Sequence, residues 1–200
     1  EHPSLHDSPI YLSPLYERIR DYFSQTQKEP LIIYVEGSIG CGKSTWLNAL
    51  DGYLREFATP GHMWGHVAIV QEPIEAWTEK GDDGKSPLQR FYENPKENAL
   101  RFQYIVGDSI VESLYAALRS GAQVVFAERS LMASRRVFFE NLYKAGFISE
   151  EGRKEYLDWF THKLPRFENV GRVYIKSDPK VAEVRARRRG RESEANIRCR

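Results

Sequence analysis

Along the chain, short solid apolar runs alternate with longer stretches in which apolar residues return every three or four positions. Leu31-Ile32-Ile33-Tyr34-Val35 is the first run. It is short, rich in β-branched residues and stopped by Gly37, as a buried strand should be. A helix is expected from 43 to about 57, then a second strand at Val67-Ala68-Ile69-Val70, closed by Pro73. Residues 80–87 form a loop on turn chemistry alone. Asn94-Pro95-Lys96-Glu97 supplies the N-cap, first-turn proline and N3 glutamate of a helix start. That helix carries Phe102, Ile105, Val106, Val111, Leu114, Tyr115 and Leu118 at helical spacing and stops at Gly121. Gln123-Val124-Val125-Phe126-Ala127 reads as a third strand, 131–145 and 150–163 as helices, and Arg172-Val173-Tyr174-Ile175-Lys176 as a fourth strand. Ser177-Asp178-Pro179 opens a last helix. Near the start, Ser13 and Pro14 begin a helix with Leu15, Ile19, Tyr22 and Phe23 on one face.

Strands alternating with helices predict the α/β class, with a parallel sheet covered by helices on both faces. No repeat or linker divides the chain. The expected organisation is an N-terminal extension with one helix over 1–30 and a single domain over 31–200.

Composition narrows the function classes. At 200 residues and 23.2 kDa, the chain can bury about 70% of its unfolded surface and needs no disulfide or metal staple. Basic and acidic residues number 29 and 28, so the net charge of +1 gives no bulk attraction to nucleic acid or membrane. No apolar run approaches the roughly 20 residues of a membrane span. Two cysteines, Cys41 and Cys199, fit a reducing compartment, and the start carries no secretory signal. A cytoplasmic location is expected, with a mitochondrial one left open.

The chemistry concentrates where strands end. Gly37-Ser38-Ile39-Gly40-Cys41-Gly42-Lys43-Ser44 has the spacing G-x-x-x-x-G-K-[ST], between a predicted strand and a predicted helix. Glycines let backbone N–H groups turn inward around an anion, and the helix N-terminus adds its positive dipole end. Lys43 reaches the β- and γ-phosphates and the Ser44 hydroxyl is a magnesium ligand, so the motif predicts nucleoside triphosphate binding. Glu72 follows the second strand, where a carboxylate can take a proton from an attacking hydroxyl; a solvated loop charge is the plainer alternative. Glu128-Arg129-Ser130 ends the third strand. Glu128 can hold magnesium and Arg129 can neutralise phosphate or pair with Glu72, although a simple structural ion pair uses the same residue types. The run Arg185-Ala186-Arg187-Arg188-Arg189-Gly190-Arg191 reads as a solvated face, a nucleic-acid patch or, beside a phosphate loop, a lid that clamps a transferring phosphoryl group.

In their order and spacing, these segments resemble the deoxynucleoside kinase family. The further motifs are Glu72-Pro73-Ile74-Glu75-Ala76-Trp77, Phe91-Tyr92-Glu93-Asn94-Pro95, Phe102-Gln103 and Phe138-Phe139-Glu140-Asn141-Leu142-Tyr143. The resemblance covers about 31–200 and implies a P-loop kinase three-layer sandwich with an arginine-rich lid. It implies ATP as phosphate donor, bound by 37–44 with Thr45 and by Arg185, Arg189 and Arg191, with Mg2+ at Ser44 and Glu128. Glu72 would be the base for the sugar 5′-hydroxyl, oriented by Arg129, and Tyr92 and Glu194 would hold the 3′-hydroxyl. Gln103 would pair with the base edge and Phe138 would stack on it, while Trp77, Phe102 and Val106 line the pocket.

Family members that accept purines and deoxycytidine place a charged Arg and Asp over the base. The matching positions here are Ile110 and Ser134, which implies a preference for thymidine and other pyrimidines. The family also implies a homodimer, and no membrane or nucleic-acid partner is expected. It continues through another helix and a fifth strand, so a C-terminal part is expected beyond Arg200. The alternatives to a deoxynucleoside kinase are a thymidylate kinase-like nucleoside monophosphate kinase and a P-loop nucleic-acid-binding protein.

Overall fold

The computed structural model describes residues 29–57 and 67–189. The helix expected near Ser13 and the positions Cys199, Arg191 and Glu194 lie outside them. The described elements run β1 (Leu31–Glu36), α1 (Lys43–Phe57), β2 (Val67–Val70), α2 (Ile74–Thr78), α3 (Pro87–Glu93), α4 (Pro95–Arg119) and β3 (Val124–Glu128). Then come α5 (Leu131–Ala133), a π-helical turn (Ser134–Phe139), α6 (Glu140–Lys144), α7 (Glu150–Lys163), β4 (Val170–Tyr174) and α8 (Pro179–Arg188). The four strands form one parallel sheet in the order β2-β3-β1-β4. This is the α/β architecture that the alternation of patterns predicts.

Alternation along the strands divides the core between the sheet's two faces. Ile33 and Val35 turn to one face with Val124 and Phe126, where Leu47, Leu50 and Leu54 of α1 cover them. Ile32 and Tyr34 turn to the other with Val125 and Ala127, against Leu114 of α4. A third cluster contains no sheet residue. It joins Trp77 of α2, Phe102, Val106 and Ile110 of α4, Phe139, and Tyr156 and Phe160 of α7. Stacking of Phe139 on Tyr156, with ring centroids 3.9 Å apart, forms its centre. The long helix α4 thus serves two cores.

Several boundaries differ from the sequence reading. The 131–145 helix is interrupted by the π turn, which widens the backbone at Ser134 and Phe138, two residues that line a large cleft. The fourth strand begins two residues earlier, at Val170, because its register opposite β1 starts with Ile32↔Val170. Two short helices, α2 and α3, occupy part of a segment with no helical periodicity long enough to read. Asn94 does stand at the N-cap of α4, yet its side chain makes no cap bond. The caps of α7 and α8 are made by Ser149, which accepts from Gly152 N, and by Asp178, which accepts from Lys180 N and Val181 N.

Two helical glycines give opposite expectations. A Cβ at Gly107 of α4 would press into the Trp159 indole and stand 3.1 Å from Leu131 Cδ1, whereas at Gly52 of α1 it meets nothing within 4 Å. Trp159 has little room to yield, since Tyr104 meets it edge-on at 5.0 Å and Tyr156 lies 5.2 Å away. Gly52→Ala should therefore stabilise by about 0.5–1 kcal/mol through helix propensity. Gly107→Ala should destabilise, the overpacking cost of about 1–3 kcal/mol exceeding that gain. Urea unfolding of the two variants checks the opposite signs.

Candidate active site

Parallel strands place their carboxyl ends along one edge of the sheet, and every candidate group at that edge follows one of β1, β2 or β3. After β1 the chain turns through Gly37, Gly40 and Gly42, at φ of 151°, 78° and 104°. Gly40 is required twice over. Its φ lies in the left-handed region, and a Cβ there would collide with the Ala182 carbonyl and stand 3.1 Å from Ala186 N. The backbone of α8 therefore rests directly on the loop, with Ala182 and Ala186 buried beneath it. That contact brings Arg185 and Arg189 to the phosphate end of the cleft, next to Ile39–Thr45.

At the start of α1, Lys43 is buried, and its Nζ donates to the carbonyls of Gly37 at 3.2 Å and Ser38 at 3.1 Å. The Ser44 hydroxyl donates to Glu128 Oε1 at 3.0 Å, and Lys43 Nζ stands 3.9 Å from the same oxygen. Burial pushes the Lys43 ammonium below its ordinary range, with the Arg129 charge adding to the effect. Burial also pushes the Glu128 carboxyl up, helped by the charge of Glu72. Desolvation thus outweighs the attraction between these neighbours, and the site favours an added cation beside Glu128 and an added anion beside Lys43. No group of three or more His, Cys, Asp or Glu side chains suited to a metal occurs among the described residues. Ser44 and Glu128 fit magnesium, which takes one or two protein ligands and completes its shell with phosphate and water.

Glu72, after β2, accepts a hydrogen bond from Arg129 Nε at 2.5 Å. Arg129 ends β3 in the left-handed region, at φ 66°, a conformation that disfavours any side chain with a Cβ. Its guanidinium lies 4.6 Å over the centre of the Phe138 ring. The strained turn therefore aims one arginine at a carboxylate and an aromatic face together.

Beyond this pair the cleft, about 1030 Å³ in volume, becomes aromatic. Trp77, Tyr92, Phe102, Gln103, Val106, Ser134 and Phe138 all line it. Phe91 stacks on Phe102 at 5.0 Å, and Trp77 Nε1 is held by Ser109 Oγ at 2.9 Å. Within this apolar wall, Gln103 Oε1 and Ser134 Oγ are buried without a hydrogen-bond partner from the chain. Both line the cleft, and a buried unpartnered oxygen is costly unless something else satisfies it.

Ile110 does not line the cleft. It shares the Gln103 face of α4 but lies seven residues on, roughly 10 Å along the axis. It packs in the helical core, behind Arg129 and beside Leu131, at a separate small cavity. Leu88 also lines the cleft, as do Phe91 and Ile74, which the motifs contain without a pocket role; short helices carry all three, and no periodicity announces those helices. Asn141 and Leu142 complete the far wall and follow the π turn.

A family model described as deoxynucleoside kinase matches residues 33–200. Bovine deoxycytidine kinase is 30% identical over 177 residues, covering 82% of this chain and 68% of its own length. Human deoxycytidine kinase is 29% identical over the same length. Chicken deoxycytidine kinase 2 is 29% identical over 189 residues, covering 88% of this chain and 71% of its own. The matched span takes in both ends of the cleft as well as the sheet that carries them, so the likeness extends far beyond a shared phosphate loop: the chain belongs to the deoxynucleoside kinase family.

Proposed function

We propose that the chain transfers the γ-phosphate of ATP to the 5′-hydroxyl of a deoxynucleoside, thymidine first and deoxycytidine second, in nucleotide salvage. The observation that carries this reading is the Arg129–Glu72 pair, which stands between the phosphate loop and the aromatic pocket. A nucleoside with its ring against Phe138 and its base edge on Gln103 presents its sugar to that pair. Glu72 takes the proton of the 5′-hydroxyl, and the 5′-oxygen attacks the γ-phosphorus. The bond to the β–γ bridging oxygen breaks, and ADP leaves. Arg129 holds Glu72 in place and neutralises charge beside the transferring group. Lys43, Arg185, Arg189 and Arg191 hold the phosphates, and Tyr92 and Glu194 hold the 3′-hydroxyl. Ser44 and Glu128 would hold magnesium, which would supply positive charge beside the phosphates.

Base preference follows from what faces the ring. Ser134 is small and uncharged, and Ile110 turns into the core, so no charge lies over the base. That lining suits thymine with its methyl group. The Gln103 amide can present its oxygen and NH₂ in either order, to thymine or to cytosine. Purines lack a charged pair to meet their six-membered ring. We also place the chain in a homodimer, as its family resemblance implies; Tyr115 of α4 and Val137 of the π turn are exposed apolar residues that such an interface could cover. Light scattering at micromolar concentration should give twice 23.2 kDa, and the monomer mass would refute it.

With ATP and magnesium, a panel of four deoxynucleosides should rank thymidine first in kcat/KM, deoxycytidine second and the purines last. A purine above thymidine would overturn the base assignment. Glu72→Gln should lower kcat by about 100-fold or more while the KM for thymidine changes little. An equally active Gln variant would remove Glu72 from the mechanism.

A further inference from the structure

Glu36 is the last residue of β1, one position before the phosphate loop, and its carboxylate does not face that loop's cleft. Instead Glu36 Oε1 accepts two hydrogen bonds from Ser130, one from the hydroxyl at 2.6 Å and one from the backbone N–H at 3.1 Å. The same hydroxyl oxygen accepts from Ala133 N at 3.0 Å and so caps α5. On the other side of the turn, the Arg129 N–H donates to Val35 O at 3.0 Å. Arg129 is therefore fastened at both of its ends to the last two residues of β1.

The reason for this fastening lies in the backbone. Parallel pairing of β1 with β3 ends at Val35↔Glu128. Glu36 gives its own carbonyl to Ile175 N, on the β4 side, at 2.8 Å. At Arg129 the chain enters the left-handed region and leaves the ladder, so the next N–H, that of Ser130, has no strand partner. The Glu36 carboxylate replaces the missing acceptor. With the turn held in this form, Arg129 reaches Glu72 at 2.5 Å while covering Phe138.

We infer that Glu36 is a positioning residue for phosphoryl transfer, holding the Arg129 turn through Ser130 so that Arg129 orients Glu72. The inference rests on the proposed role of Glu72 as base. Glu36 touches neither substrate nor phosphate in this account; it sets the angle from which Arg129 works, and misplacement of a catalytic group by about 1 Å costs on the order of 100-fold.

The test is a set of kcat comparisons among folded variants, with unfolding midpoints measured alongside. Glu36→Ala and Ser130→Ala should each lower kcat about 10- to 100-fold, with the KM for ATP within about threefold of the parent. The two changes share the hydroxyl–carboxylate bond, while Glu36→Ala also frees the Ser130 N–H and Ser130→Ala also removes the cap of α5, so the double variant should lose less than the product of the two single losses. Glu36→Gln keeps an acceptor oxygen and should recover kcat to within about threefold. In the Glu72→Gln background, Glu36→Ala should cost much less than in the parent, the remainder being the displaced Arg129 charge.

Multiplying effects in the Glu36–Ser130 pair, a rise in the ATP KM as the main defect, or no recovery with Gln would overturn the inference. If Glu36→Ala does not fold, Ser130→Ala and Glu36→Gln still decide it. A fully active Glu72→Gln enzyme would instead refute the base assignment. That outcome is separate, because the Glu36–Ser130 coupling is measured in the parent chain.

Discussion

The ion pair between Arg129 and Glu72 is where the separate demands on this chain meet. It joins the ends of β2 and β3, and it exists only because a parallel sheet brings those ends to one edge. It needs a left-handed residue that carries a Cβ, so it needs neighbours that hold that residue against its preference. It needs burial on one flank by the Phe138 ring, which the π turn sets in place. Remove the pair, and the phosphate loop and the aromatic pocket become two unrelated halves of one cleft.

The charges around the pair are costly to the fold. Lys43 and Glu128 are buried, and each is displaced toward its neutral form although they stand 3.9 Å apart. The signs agree on the consequence. A lysine with a lowered pKa binds its proton less well in the folded state, so its charge costs stability at any pH below its unfolded value. A carboxylate with a raised pKa binds its proton better when folded, so its charge costs stability once the pH exceeds its unfolded value. Near neutrality both charges therefore work against folding. Such an arrangement makes sense where a polyphosphate and a divalent cation complete the site, and this edge of the sheet is where they would lie.

Much of this was legible in the residues. The run 31–35 with Gly37 after it, and the lysine and serine at 43 and 44, fix a strand, a phosphate loop and a helix in one reading. Glu72, Glu128 and Arg129 are recognisable because charged residues directly after buried strands stand at the ligand edge. What stayed hidden depends on distance in sequence or on small changes of backbone. Glu36 looks like an ordinary charge at a strand end, since its partner Ser130 is 94 residues away. Ile110 has the right helical phase but lies too far along α4 to reach the cleft. The π turn leaves no mark in a periodicity that is helical on both sides of it. The helices α2 and α3 are too short for a hydrophobic period, although they carry Trp77, Leu88 and Phe91 to the pocket wall.

On the proposed function, a nucleoside hydroxyl brought to Glu72 and Arg129 receives the phosphoryl group bound over the phosphate loop. Incubation of the chain with thymidine, magnesium and ATP labelled in its γ-phosphate addresses this transfer directly. The label should appear on the 5′-oxygen of a nucleoside carrying one phosphate, at the rate ADP is formed. Label released only as inorganic phosphate, or transferred only when a nucleoside monophosphate is supplied, would contradict it.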